Sequence, residues 1–147
     1  MATLLAAGLT AAEMAAHRVE HDGVVLAWNP HRRLALLRTR PGSLLTAAHA
    51  RAIGHATADW AGSPPSAPYA FVVEGQAVDD ALTDRGYRET LGRGARADGE
   101  HIRLLFYGGT EQTRRIASLY LRGVETVGAV VETEVEAVAW LAERGFA

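Results

Sequence analysis

The sequence predicts a single-domain α/β sandwich, in which a mixed sheet of about five strands packs against about four helices. Three observations carry this expectation. The last third holds an apolar run from Val124 to Val131 that leads into Thr133-Glu134-Val135-Glu136 and then Ala137, Trp140 and Leu141 at helical spacing, a strand delivered into a capped helix. Upstream, segments of period two alternate with segments of period three to four. A chain of 147 residues suits one domain, able to bury about two-thirds of its unfolded surface without staples.

Taken in order, residues 1–14 read as an N-terminal arm ahead of a domain over 15–147. The arm superficially resembles a signal peptide, but it lacks a basic start and meets Glu13 after a short apolar run. Thr10-Ala11-Ala12-Glu13 is also a capping-box pattern that competes with an extended reading. Residues 15–21 and 24–28 flank Asp22-Gly23, a dipeptide that tolerates positive φ, so a hairpin is expected. Asn29-Pro30-His31-Arg32 makes a second turn, and Arg33 to Arg40 a largely buried strand ended by Pro41-Gly42.

From Thr46 to Ala61 the period changes, placing Leu45, His49, Ile53, Ala56 and Trp60 on one face and Arg51, His55 and Asp59 on the other. Gly62 to Pro68 cannot continue that helix and forms a stiff loop. Tyr69 to Val73 is uninterrupted and apolar, hence a central strand. A brief helix over 76–85 ends at Gly86, while 87–101 resist assignment because Gly92, Gly94 and Gly99 interrupt every period. Ile102 to Tyr107 is another buried strand. Gly108-Gly109-Thr110 is a turn and cap, and 111–122 a helix with Ile116, Leu119 and Tyr120 facing inward. Thr133 and Glu136 cap the last helix reciprocally, and Gly145 closes it.

Composition excludes several function classes. Without cysteine there is no disulfide framework, no thiol nucleophile and no cysteine zinc site, and a cytoplasmic setting is expected. A net charge of −2 argues against a nucleic-acid binder carried by bulk electrostatics. No run is long and apolar enough to span a bilayer. All fifteen basic residues are arginine, which compositional bias toward Arg, Ala and Gly explains as readily as anion binding.

Each chemical constellation has a plainer reading beside it. Glu13, His17 and His21 step by four, a ligand set on a helix, but on a strand the same step spreads neighbours by about 13 Å. No metal site is expected. His49 suits a hydrogen-bonded core edge, and His55 a solvated surface. Ser43, Ser63, Ser66 and Ser118 stand in no nucleophile elbow. Asp79, Asp80 and Asp84 read as solvated carboxylates, and Glu132, Glu134 and Glu136 as charges favoured at a helix start. Gly108-Gly109-Thr110 with Arg114 and Arg115 could cradle an anion, yet a true phosphate loop would carry a lysine and this chain has none. Gly92-Arg93-Gly94-Ala95-Arg96 weakly matches an acyl-CoA pyrophosphate loop, but Asp98-Gly99 breaks the helix that should follow.

The ending, Val131-Glu132-Thr133-Glu134 followed by Ala137 and Trp140-Leu141, resembles the last strand and helix of small bacterial STAS-like (SpoIIAA-like) proteins. The upstream order is similar too: Asp22-Gly23-Val24-Val25 opening a strand, a second strand, a long helix, a third strand, a helix and a fourth strand. The resemblance spans roughly residues 20 to 145. It implies a non-enzymatic regulatory or protein-interaction module without cofactor, which binds a protein partner and self-associates as a homodimer through a sheet edge or helical face. The family's regulatory serine falls where this chain reads Glu74-Gly75-Gln76-Ala77, so no hydroxyl stands there to phosphorylate. That loop, with Asp79 and Asp80 as an acidic extension, becomes the expected docking surface, and the Arg114 and Arg115 helix the next. The alternative is a small anion-, nucleotide- or acyl-CoA-binding protein or transferase using Gly108, Gly109, Thr110, Arg114 and Arg115.

Overall fold

The computed structural model describes residues 17–40, 42–75, 82–124 and 126–146. The chain opens with β1 (Arg18–His21) and β2 (Val24–Asn29), paired antiparallel with His21 opposite Val24. The two residues between them, Asp22 at φ 41° and Gly23 at φ 87°, both take the left-handed conformation that a tight hairpin needs. β3 (Leu34–Thr39) pairs antiparallel with β2 across a turn in which the Asn29 side chain accepts from the His31 and Arg32 amides.

From β3 onward the sheet is parallel. β5 (Tyr69–Glu74), β7 (Ile102–Tyr107) and β8 (Val127–Val131) add in turn, giving a six-stranded mixed sheet in the order β1-β2-β3-β5-β7-β8. The α/β sandwich expected from the sequence is the fold, with six strands in the main sheet where about five were expected. A further short parallel pair, β4 (Leu44–Leu45) with β6 (Leu82–Thr83), ties together the starts of two helices.

Among the described residues four helices connect and cover these strands: α1 (Ala47–Ala61), α2 (Arg85–Asp98), α3 (Glu111–Val124) and α4 (Glu134–Glu143). Among the described residues the three parallel steps cross over through α1, α2 and α3 in order. A chain advancing in one direction through right-handed crossovers puts its helices on one face. The core clusters agree. Leu26, Trp28, Leu37 and Phe71 pack with Ala50 and Ile53 of α1, Tyr87 of α2 and Val124 of α3, while Leu36, Val72 and Leu105 pack with Ala137 and Leu141 of α4 on the opposite face.

Two expectations about elements are corrected. Of the helix placed over 76–85, residues 76–81 lie outside the described residues; Leu82 and Thr83 are strand, and Arg85 opens a further helix, which Gly86 lies inside instead of ending. Residues 87–101, left unassigned, are mostly α2. Asp84 caps it by accepting from the Tyr87 amide at 2.8 Å, and Tyr87, Leu91 and Ala95 recur every fourth residue along its inner face. Gly86 sits close to Ala47, where a Cβ would come within 3.2 Å, while a Cβ at Gly92 would make ordinary contact with Val124 and Tyr120.

The inner face of α3 also differs from expectation. Ile116 and Leu119 are 56% and 59% exposed, whereas Tyr120, Leu121 and Val124 point to the sheet. α3 runs to Val124, so the strand begins at Val127 and not at Val124. Gly128 lets α3 lie low on this edge, since a Cβ there would stand 2.6 Å from the Leu104 carbonyl and 3.0 Å from Leu121. α4 is capped as expected at Thr133, whose hydroxyl accepts from the Glu136 amide and donates to its carboxylate. Gly145 at φ 82° ends it, with the Phe146 amide bonded to the Leu141 carbonyl. Trp140 is half-buried at the rim under the Arg144 guanidinium, while Ala137 and Leu141 are the fully buried members of that helix.

Candidate functional site

A cleft of about 370 Å³ lies between the sheet and its three-helix face. Its floor is Phe71 and Val73 of β5 with Leu104 and Phe106 of β7, side chains that strand alternation sends to the helix side. α1 packs closely along α2, whereas α2 and α3 meet at few positions, so the floor is incompletely roofed. Small residues hold the opening. Gly54 on α1 and Gly94 on α2 both line it, and a Cβ at either would meet nothing within 4 Å.

The lining is predominantly apolar with a few polar groups. Tyr87 is 7% exposed, and its phenol and that of Tyr120 both border the cleft without a hydrogen-bond partner among the described residues. Burial is the first cause that pushes both phenols up, Tyr120 to about 12. At the end where α2 finishes, the Tyr69 hydroxyl donates to the Asp98 carboxylate. At the other end Arg88 donates to the Thr83 carbonyl at 2.8 Å and to its hydroxyl at 3.1 Å. An apolar pocket of a few hundred Å³ with a handful of polar groups is the usual form of a small-molecule site.

The residues singled out from the sequence fall in three places. Glu74 ends β5 on the opposite, α4 side of the sheet, where it accepts from Arg38 at 2.8 Å and from the Tyr107 hydroxyl at 3.3 Å. Burial first, and then the Glu74 and Glu134 carboxylates, raise the Tyr107 phenol. Gly75 lies against Phe106 of the cleft floor, since a Cβ there would lie 2.4 Å from that ring. Gln76, Asp79 and Asp80 lie outside the described residues.

The glycine turn does not gather its arginines around an anion. Gly108 and Gly109 adopt φ 76° and 75°, and the Gly108 amide already donates to the Val131 carbonyl at 3.2 Å. Arg114 folds back to donate to both glycine carbonyls, and Arg115 is exposed and paired with Glu111 at 3.2 Å. The two guanidiniums are therefore engaged separately. Thr110 caps α3 by accepting from the Thr113 amide.

The histidines also separate. His49 is 3% exposed; its Nδ1 accepts from the Thr46 amide at 3.0 Å, so Nε2 carries the proton donated to the Asp22 carbonyl at 2.9 Å. This is the hydrogen-bonded core edge read from the sequence. His21 lies in β1 with its ring edge-on to His49, His17 precedes that strand, His55 is exposed, and Glu13 lies outside the described residues. Among the described residues no group of three or more acidic or histidine side chains is placed to hold a metal. No helix of the described residues is long and apolar enough to cross a membrane.

Sequence reasoning missed the cleft because its builders are scattered and bland: Tyr87, Arg88 and Gly94 in the stretch that resisted assignment, Gly54 on α1 and Tyr120 on α3. The available signal was Asp84 followed by Tyr87, Leu91 and Ala95, a capped helix with an inner face. The chain matches no family model, no curated protein and no solved structure.

Proposed function

We propose that this chain is a non-enzymatic regulatory module that binds an apolar small molecule in the cleft between its helices and its sheet. One observation carries the reading: an apolar space of about 370 Å³, lined by Gly54 and Gly94 and bordered by the phenols of Tyr87 and Tyr120. A bound molecule that fills the space takes its apolar lining out of water and can accept a hydrogen bond from Tyr87 or Tyr120.

The test is thermal unfolding with 1-decanol as the probe, on the intact chain and on Gly94→Leu. A saturating ligand at about a hundred times its dissociation constant adds roughly 2.7 kcal/mol, a clear rise in melting temperature. The variant grows a side chain into open space within the cleft, so it should stay folded and lose the rise. No rise in the intact chain, or an equal rise in the variant, would sink the reading.

A second reading, a STAS-like module that docks a protein partner through the loop after β5, is supported by a different observation. Arg38 and Tyr107 hold Glu74 in place at the end of β5. The order of elements and the Thr133 cap support the same family. The two readings meet at Gly75, which lies against the cleft floor at Phe106 and directly follows Glu74. Glu74→Arg should then weaken partner capture by a folded protein while leaving decanol binding alone. The nucleotide- or acyl-CoA-binding alternative draws less support, because Arg114 and Arg115 are separately engaged.

A further inference from the structure

Resting on the cleft reading above, we infer that the ligand is a medium-chain aliphatic acid, its tail along the cleft and its carboxylate on Arg88. Two charged side chains line the cleft, and they stand at opposite ends of α2. At about 1.5 Å per residue, Arg88 and Asp98 are roughly 15 Å apart along the helix axis, a span that takes a decanoate chain.

The two ends differ in sign and in availability. Asp98 takes the Tyr69 hydroxyl and presents a carboxylate, so an acid headgroup is repelled there and an alkyl end is not. Arg88 is held across the other end by two bonds from a single nitrogen, Nη1, to Thr83. Its Nε and Nη2 remain for a ligand, and no carboxylate pairs with it among the described residues. The nearest other cation on that turn, Arg85, is committed to Glu89 at 2.7 Å. One fixed guanidinium with two free donors matches the planar, singly charged carboxylate bidentately, whereas a phosphate headgroup would call for more than one cation. Between the ends, the wall and floor of Ile53, Leu91, Phe71 and Phe106 offer a hydrocarbon chain only apolar contact.

Decanoate below its micelle concentration and 1-decanol, which share a chain and differ in the headgroup, separate the possibilities by calorimetric titration at neutral pH. The intact chain should bind decanoate at least about tenfold more tightly than decanol, the margin of a charge-assisted pair. Arg88→Gln should bring the ratio close to one, and Arg88→Lys should restore part of it. Equal affinities in the intact chain, or a preference that survives Arg88→Gln, would overturn the acid while leaving the cleft reading in place. Binding of neither probe would remove the cleft reading itself and this inference with it. Circular dichroism of Arg88→Gln guards against a folding defect. The side chain is exposed and its loss opens no core space.

Discussion

Tyr69, Tyr87, Tyr107 and Tyr120 are all the tyrosines of the chain, and burial raises the phenol of every one. Tyr120 is the least perturbed, pushed up to about 12. The folded protein therefore holds that proton more tightly than the unfolded chain, whose phenol ionises near about 10. The resulting stabilisation is whole below pH about 10 and is lost as the pH climbs toward about 12. Tyrosinate absorbance should stay flat through pH 10 while the far-ultraviolet dichroism is native, and its first rise should vanish in Tyr120→Phe. An ordinary tyrosine titration with the fold intact would show that these rings are wetter than described. At this scale legibility depended on the neighbours a residue finds. His49 was readable because helical spacing put it on the apolar face and its polar atoms then needed partners. Trp140 shares that spacing with Ala137 and Leu141, yet it sits at the rim under Arg144, because periodicity assigns a direction and not a depth.

At the scale of elements, the strands and the capped helices were legible and the glycine-bearing helix was not. Ile102–Tyr107 matched residue for residue, since an apolar run broken only by Arg103 and buried largely on both faces has few other readings. α2 was hidden because each of Gly86, Gly92 and Gly94 argues against a helix by local propensity, and tertiary packing outweighs propensity here. The same fact yields a prediction. Gly54→Ala and Gly94→Ala place a methyl group in open space on helices α1 and α2, so each should stabilise the fold by about 0.5 to 1 kcal/mol. Urea midpoints measured on the two single variants check this. A loss of stability at either position would mean that the backbone there is not held as a regular helix. A gain in stability accompanied by weaker decanol binding would tie the glycines to the cleft, since they then sacrifice stability to keep it open.

Across the whole molecule one sheet serves two cores. Trp28 and Trp60 stack 6.0 Å apart on the three-helix face, while Trp140 stands alone on the α4 face, so these three tryptophans, all that the chain has, report on separate sides. Strands β3, β5 and β7 contribute alternate residues to both clusters: Leu36 to one and Leu37 to the other, Val72 and Phe71 likewise. Neither face can lose its packing without exposing the back of the same strands, which is the condition for all-or-none unfolding in a domain of this size. Two variants make the comparison, Trp140→Phe reporting from Trp28 and Trp60, and Trp28→Phe with Trp60→Phe reporting from Trp140. Within each, the urea transition followed by fluorescence should coincide with that followed by far-ultraviolet dichroism. The α4 face is the thinner of the two, with one described helix over it, so any departure should appear first there. A Trp140 signal that melts well before the dichroism would show α4 to be a separately opening unit. The strand-to-capped-helix ending on which the fold was first read would then contribute to the topology without being coupled to the sheet's stability.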